Sequence, residues 1–150
     1  TVACVNEEFK NFKKILGIKL YAKIFRIGLT DNGSEFFDPY QIEKDYDTGK
    51  KIANLFYCNP NRPDQKGGIE KNHEYIRLLY PKGTSFNNLT QEDVISLENI
   101  INNIPRDSLN GLSPYLLTKD KYPLFINKLS YISYIQPDDI DLSPRKDASK

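Results

Sequence analysis

The chain of 150 residues has no methionine, no tryptophan, one histidine and two cysteines. Cys4 and Cys58 stand far apart, with no C-x-x-C and no histidine beside either, which excludes a zinc ribbon and a disulfide framework and fits a reduced, cytoplasmic setting. No apolar run approaches the roughly 18–20 residues of a membrane span, and no signal-peptide pattern is present, so the expectation is no membrane and no visible secretion. Excess charge is lacking too. The 21 Lys and Arg nearly cancel the 20 Asp and Glu, for a formal net charge of +1, so any contact with a polyanion has to be local. The missing methionine and the start at Thr1 lead us to expect a further segment upstream.

What is present suffices for one domain with a core, since 39% of the residues are hydrophobic. Val2, Val5, Phe9, Phe12 and Leu16 recur at helical spacing over residues 1–16. Glu7, Glu8, Lys10, Lys13 and Lys14 fall on the other side, and Gly17 is a stop. Tyr21 to Leu29 is rich in β-branched and aromatic residues and reads as a strand ended by Asp31-Asn32-Gly33. Glu35 to Tyr46 reads as irregular or short helical, and Ile52 to Tyr57 as a second strand.

A Pro- and Gly-rich loop from Cys58 to Gly68 leads into an amphipathic helix that ends before Pro81-Lys82-Gly83. Thr90 and Asp93 have the spacing of a capping box for another helix, with Val94, Leu97, Ile100, Ile101 and Ile104 on its buried face. Ser113 to Thr118 reads as a third helix with Pro114 at its first position. The expected organisation is a core over residues 1–118 and a polar tail over 119–150, the tail carrying one short extended piece near Tyr131 to Ile135.

Two carboxylates stand out. Asp31 follows a strand and Glu70 opens a helix, so both can converge on a divalent metal at one end of a sheet. Taken singly, each has a plainer explanation: Asp-Asn-Gly is a strong turn signal, and an acid in a first helical turn offsets the helix dipole. Together with Arg77, two turns after Glu70 on the same helix face, they form a pattern suited to phosphate and metal. Asn72, His73, Lys66 and Lys71 lie around it as candidate DNA contacts, although a lone helix histidine is more often a packing residue.

The runs Leu29-Thr30-Asp31-Asn32-Gly33-Ser34-Glu35-Phe36, Phe56-Tyr57-Cys58-Asn59-Pro60, Gln65-Lys66-Gly67-Gly68-Ile69-Glu70-Lys71-Asn72-His73-Glu74-Tyr75-Ile76-Arg77 and Pro81-Lys82-Gly83-Thr84-Ser85-Phe86 carry a family resemblance. So do Pro105-Arg106 and Leu109-Asn110-Gly111-Leu112-Ser113-Pro114-Tyr115. In these runs the chain resembles the DDE transposases of bacterial insertion sequences, most closely the insertion-sequence family numbered thirty, within the retroviral-integrase superfamily. The resemblance implies an α/β, ribonuclease-H-like mixed sheet with flanking helices, its N-terminal strands absent from this chain.

It also implies that Asp31 is the second acid and Glu70 the last acid of an Asp-Asp-Glu triad that binds two Mg²⁺ or Mn²⁺ ions for in-line cleavage and joining of DNA. Their separation is 70 − 31 = 39 residues, slightly longer than usual in that superfamily, with the excess around Asp45 to Lys51. No aspartate precedes Asp31, so the family's first acid is missing and the isolated chain is expected to be inactive. The implied partners are element-end and target DNA, with a homodimer or synaptic assembly in a bacterial cytoplasm. The alternative is a non-catalytic relic or regulatory fragment that binds DNA or the full-length transposase.

Overall fold

A computed structural model describes residues 1–59, 65 and 67–145, without the side chains of 68–70. The fold is mixed α/β, rich in helices, with one small sheet of two strands among the described residues. The chain divides into two compact units, Thr1–Lys66 and Gly67–Lys150.

In the first unit, α1 (Val2–Leu16) opens with Thr1 as its N-cap, the hydroxyl accepting from the Cys4 amide. It stops at Gly17, whose φ of 78° is costly for a residue with a Cβ, and the chain turns there into α2 (Ile18–Ile24). The strand expected over Tyr21 to Leu29 is therefore corrected. Tyr21 lies inside α2 and is fully buried, and the strand β1 covers only Ile27–Thr30. The aromatic residues that suggested a strand obey a helical period instead. Tyr21 stacks on Phe25 four residues on, at 4.8 Å between centroids, and Phe25 meets Phe9 and Phe12 of α1. Tertiary packing of the rings outweighs their β-propensity.

A second correction concerns Lys13, expected on the polar side of α1 but only 4% exposed. The short helix α3 (Tyr40–Glu43) explains it. Lys13 Nζ donates to the carbonyls of Gln41 (2.5 Å) and Lys44 (2.6 Å) at the end of α3, and lies over the rings of Tyr21 and Tyr46. A cation there satisfies carbonyls that a four-residue helix cannot pair internally. The Tyr21 hydroxyl donates to the neighbouring Ile42 carbonyl at 2.9 Å.

The strand β2 (Asn54–Tyr57) pairs in parallel with β1, in the register Ile27 with Asn54 through Thr30 with Tyr57. Ala53 and Cys58 at its ends are buried, whereas Ile27, Leu29 and Phe56 on one face of the pair are exposed.

In the second unit, α4 (Gly67–Leu79) packs on α5 (Gln91–Asn103) around Leu79, Tyr80, Ile100 and Ile104. The expected capping box is formed: Thr90 accepts from the Asp93 amide and Asp93 accepts from the Thr90 amide. The helix expected from Ser113 is also present as α6 (Pro114–Lys121), with Ser113 accepting from the Leu116 amide.

The segment expected as a polar tail is structured as far as residue 145. It holds α7 (Pro123–Lys128), buries Ile126 and Leu129, and packs Ile135 and Ile140 against the core cluster. The stretch near Tyr131 is fixed by amide side chains of α5: Asn99 donates to the Tyr131 carbonyl and accepts from the Ser133 amide, and Asn103 donates to the Ser133 carbonyl. At its far end the Arg145 amide donates to the Leu79 carbonyl, satisfying the last residue of α4.

Candidate functional site

Asp31 stands directly after β1 and is exposed. Its Oδ1 accepts from the Gly33 amide at 3.3 Å, the Asx-turn geometry expected of an Asp followed by Asn-Gly. The turn is tied to the end of β2 by two bonds. The Cys58 amide donates to the Thr30 carbonyl at 2.7 Å, and Asn32 Nδ2 donates to the Cys58 carbonyl at 3.0 Å. Both strands run the same way, so Asp31 lies at the C-terminal end of the sheet, where open α/β sheets bind their ligands.

One acid near this turn escaped the sequence reading. Glu35 folds back on Gly33 so closely that a Cβ at position 33 would lie 2.7 Å from its carboxylate. A side chain at position 33 would make Glu35 swing aside, and nothing in the sequence beyond the acid itself marked this approach.

The other candidates belong to the second unit. Position 70 lies in the first turn of α4 and position 77 in its last, two turns apart along the same face; the side chain of Glu70 is outside the described residues. Lys66 is also outside them. Lys71 Nζ is 2.6 Å from Glu74 Oε2, and this hydrogen-bonded carboxylate raises the lysine pKa above its ordinary value. Both side chains are more than half exposed, so the pair is weak. Asn72 turns inward: its Oδ1 accepts from Arg106 Nη2 at 3.0 Å, and the guanidinium also lies over the Tyr75 ring.

His73 and Arg77 are brought together on one pocket of about 340 Å³. Its walls include Ile76, Tyr80 and Phe86, and Lys82 joins the two α4 side chains at its rim. The pocket exists because the chain reverses immediately after α4. The Thr84 amide donates to the Pro81 carbonyl across a turn whose third residue, Gly83, has φ of 90°. In the sequence Pro81-Lys82-Gly83 marks the end of a helix, and the pocket beside it needs the fold.

Among the described residues, no three His, Cys, Asp or Glu side chains are grouped to hold a metal ion. Asp31 alone has the chemistry of one ligand for a hard divalent cation: a carboxylate on a short turn anchored to two strands. No described helix is long and apolar enough to cross a membrane.

No protein-family model matches the chain, and no solved structure matches it. Three curated proteins are similar. The transposase for insertion sequence element IS4351 of Bacteroides fragilis is 33% identical over 100 residues, 67% of this chain and 28% of that protein. The transposase for insertion sequence element IS1086 of Cupriavidus metallidurans is 28% identical, over 58% of this chain and 29% of its own length. The putative integrase ORF3 of Spiroplasma virus SpV1-R8A2 B is 32% identical, over 73% of this chain and 31% of that protein. These similarities support a transposase or integrase family and a function related to transposition. The match spans less than a third of the length of each of these relatives.

Proposed function

We propose that this chain is part of a DDE-type transposase catalytic core of ribonuclease-H-like fold, and that Asp31 and Glu70 are two of its acidic metal ligands. The observation that carries this reading is the placement of Asp31. It is an exposed carboxylate at the C-terminal end of a parallel strand pair, pinned to the second strand through Asn32. Similarity to two insertion-sequence transposases and a viral integrase supports the reaction class.

Bound Mg²⁺ or Mn²⁺ would supply activation of water or a 3′-hydroxyl and stabilisation of the leaving oxygen in transfer between DNA strands. The chain's own share is to hold carboxylates on rigid elements and to place cations for the DNA backbone. Arg77 and His73 are exposed on α4 for that purpose, with Lys66 and Lys71 as further phosphate contacts. Lys71 leaves Glu74 at little cost, because both side chains of the ion pair are exposed to solvent. Asn72 acts by holding Arg106.

In a full-length protein, Asp31→Asn and Glu70→Gln are each expected to abolish Mg²⁺-dependent cleavage of element-end DNA while leaving the fold intact by circular dichroism. Undiminished cleavage by either variant overturns the assignment. Residues 1–150 alone are expected to give no strand transfer, and robust turnover by them refutes the need for a further acid.

A second reading, a non-catalytic fragment that binds DNA or a full-length partner, is favoured by a match that spans less than a third of the length of each relative. Calorimetric titration separates the two, because the non-catalytic fragment binds neither Mg²⁺ nor Mn²⁺.

A further inference from the structure

We propose that the pocket between the end of α4 and the Pro81–Phe86 turn holds one unstacked base of single-stranded DNA, with the adjoining phosphate on Arg77 and Lys82. This inference rests on the reading of the chain as part of a DNA-acting protein, and it assigns a role to residues other than Asp31 and Glu70.

The pocket is large enough for a planar ring system, at about 340 Å³ within the roughly 300–1,000 Å³ usual for small-ligand sites. Its chemistry is divided. Ile76 and the buried Tyr80 line the interior, while Phe86 stands at the mouth, 55% exposed. The Phe86 ring meets Tyr80 edge-on at 5.9 Å with planes at 70°, an arrangement that fixes its orientation. An exposed aromatic ring held in place by a buried one is the kind of platform on which a base stacks, whatever its sequence.

Charge decides the class of occupant. None of the described residues lining the pocket is acidic, and His73, Arg77 and Lys82 supply donors or positive charge at its edge. An apolar cleft with a cationic rim suits a ligand that is aromatic at one end and anionic at the other, as a nucleotide unit is. A duplex keeps its bases stacked and paired, so a base reaches Phe86 only from a single strand or an opened end.

The test uses residues 1–150 and end-labelled oligothymidine in EDTA, with binding read by fluorescence anisotropy. Wild type is expected to prefer the single strand over a duplex of equal length. Phe86→Ala should weaken single-strand binding about tenfold, and Lys82→Gln should lower the salt slope by about one phosphate contact. Since the chain contains no tryptophan, Phe86→Trp places a lone indole at the mouth, which should preserve binding and lose emission as bases stack on it.

Unchanged affinity in Phe86→Ala, equal binding of an abasic strand, or equal binding of free thymidine monophosphate each overturns the proposal. The last two would point to a phosphate site and a free-nucleotide site respectively. No metal is present, so failure of Mg²⁺-dependent cleavage with this binding intact counts against the carboxylate assignment alone.

Discussion

The two compact units solve the same problem with different chemistry. Each must hold a stretch of backbone that makes little regular hydrogen bonding of its own. In the first, α3 is held by Lys13 and Tyr21, which donate to the carbonyls of Gln41, Lys44 and Ile42. In the second, the stretch around Tyr131 to Ser133 is held by the amides of Asn99 and Asn103. One anchor is built from titratable groups and the other from neutral ones. Burial lowers the Lys13 pKa and raises that of Tyr21 well above its ordinary value, so the first anchor responds to alkali, whereas the second carries no proton that can leave in that range.

The sharpest way to break the first anchor is Tyr21→Ala. It removes a fully buried ring that stacks on Phe25 and also removes the bond to Ile42, and a loss of about 4 kcal/mol is expected in urea unfolding of the first unit. Asn103→Ala should cost less, about 2 kcal/mol, because it removes donors to the Asn99 and Ser133 carbonyls without emptying a ring-sized space. Hydrogen exchange of the Ser133 amide would report the local release.

The smallest effect is the most telling. Tyr21→Phe should cost about 1 kcal/mol at neutral pH. The folded-state pKa of Tyr21 is raised, so its stabilising contribution is present below its unfolded value of 10.0 and is lost as pH rises above that value. The phenylalanine variant should therefore lose less stability than wild type above that pH. Lys13 acts in the opposite direction: with its pKa lowered, raising the pH towards 10.5 relieves the cost of burying an ammonium. A wild-type urea midpoint that stays level between neutral pH and pH 11, matched by the variant, would remove the contrast between the units.

Much of the second unit was legible in the sequence. Thr90 with Asp93, and Ser113 with Pro114, announce helix starts through local chemistry, and both form as expected. The first unit was harder because its decisive contacts are distant in sequence. Nothing local marks Lys13 as the cap of a helix 28 residues away, and the rings of α2 resemble a strand until Phe9 and Phe12 are there to pack against.

At the site, the Asp31 turn followed from Asp-Asn-Gly, but its tether to Cys58 did not. Asn72 reads as a surface donor because its partner Arg106 is 34 residues away, whereas the Lys71–Glu74 pair was legible from its i,i+3 spacing. Phe86 was legible only as an aromatic after a Pro-Gly turn. Its pairing with Tyr80 across a pocket needed the fold.

The parallel pairing of β1 with β2 also sets a timetable. Register partners Ile27 and Asn54 are 54 − 27 = 27 residues apart, so the ladder closes only after a long loop has been drawn in. Helices such as α1 form on the microsecond scale or faster from local contacts, whereas this closure is non-local and slower. On a growing chain, Asn32 has nothing to grip until Cys58 has been synthesised and has left the ribosome. Until then the segment carrying Asp31 lacks its partner β2, and the turn that holds its carboxylate is not yet tied to Cys58.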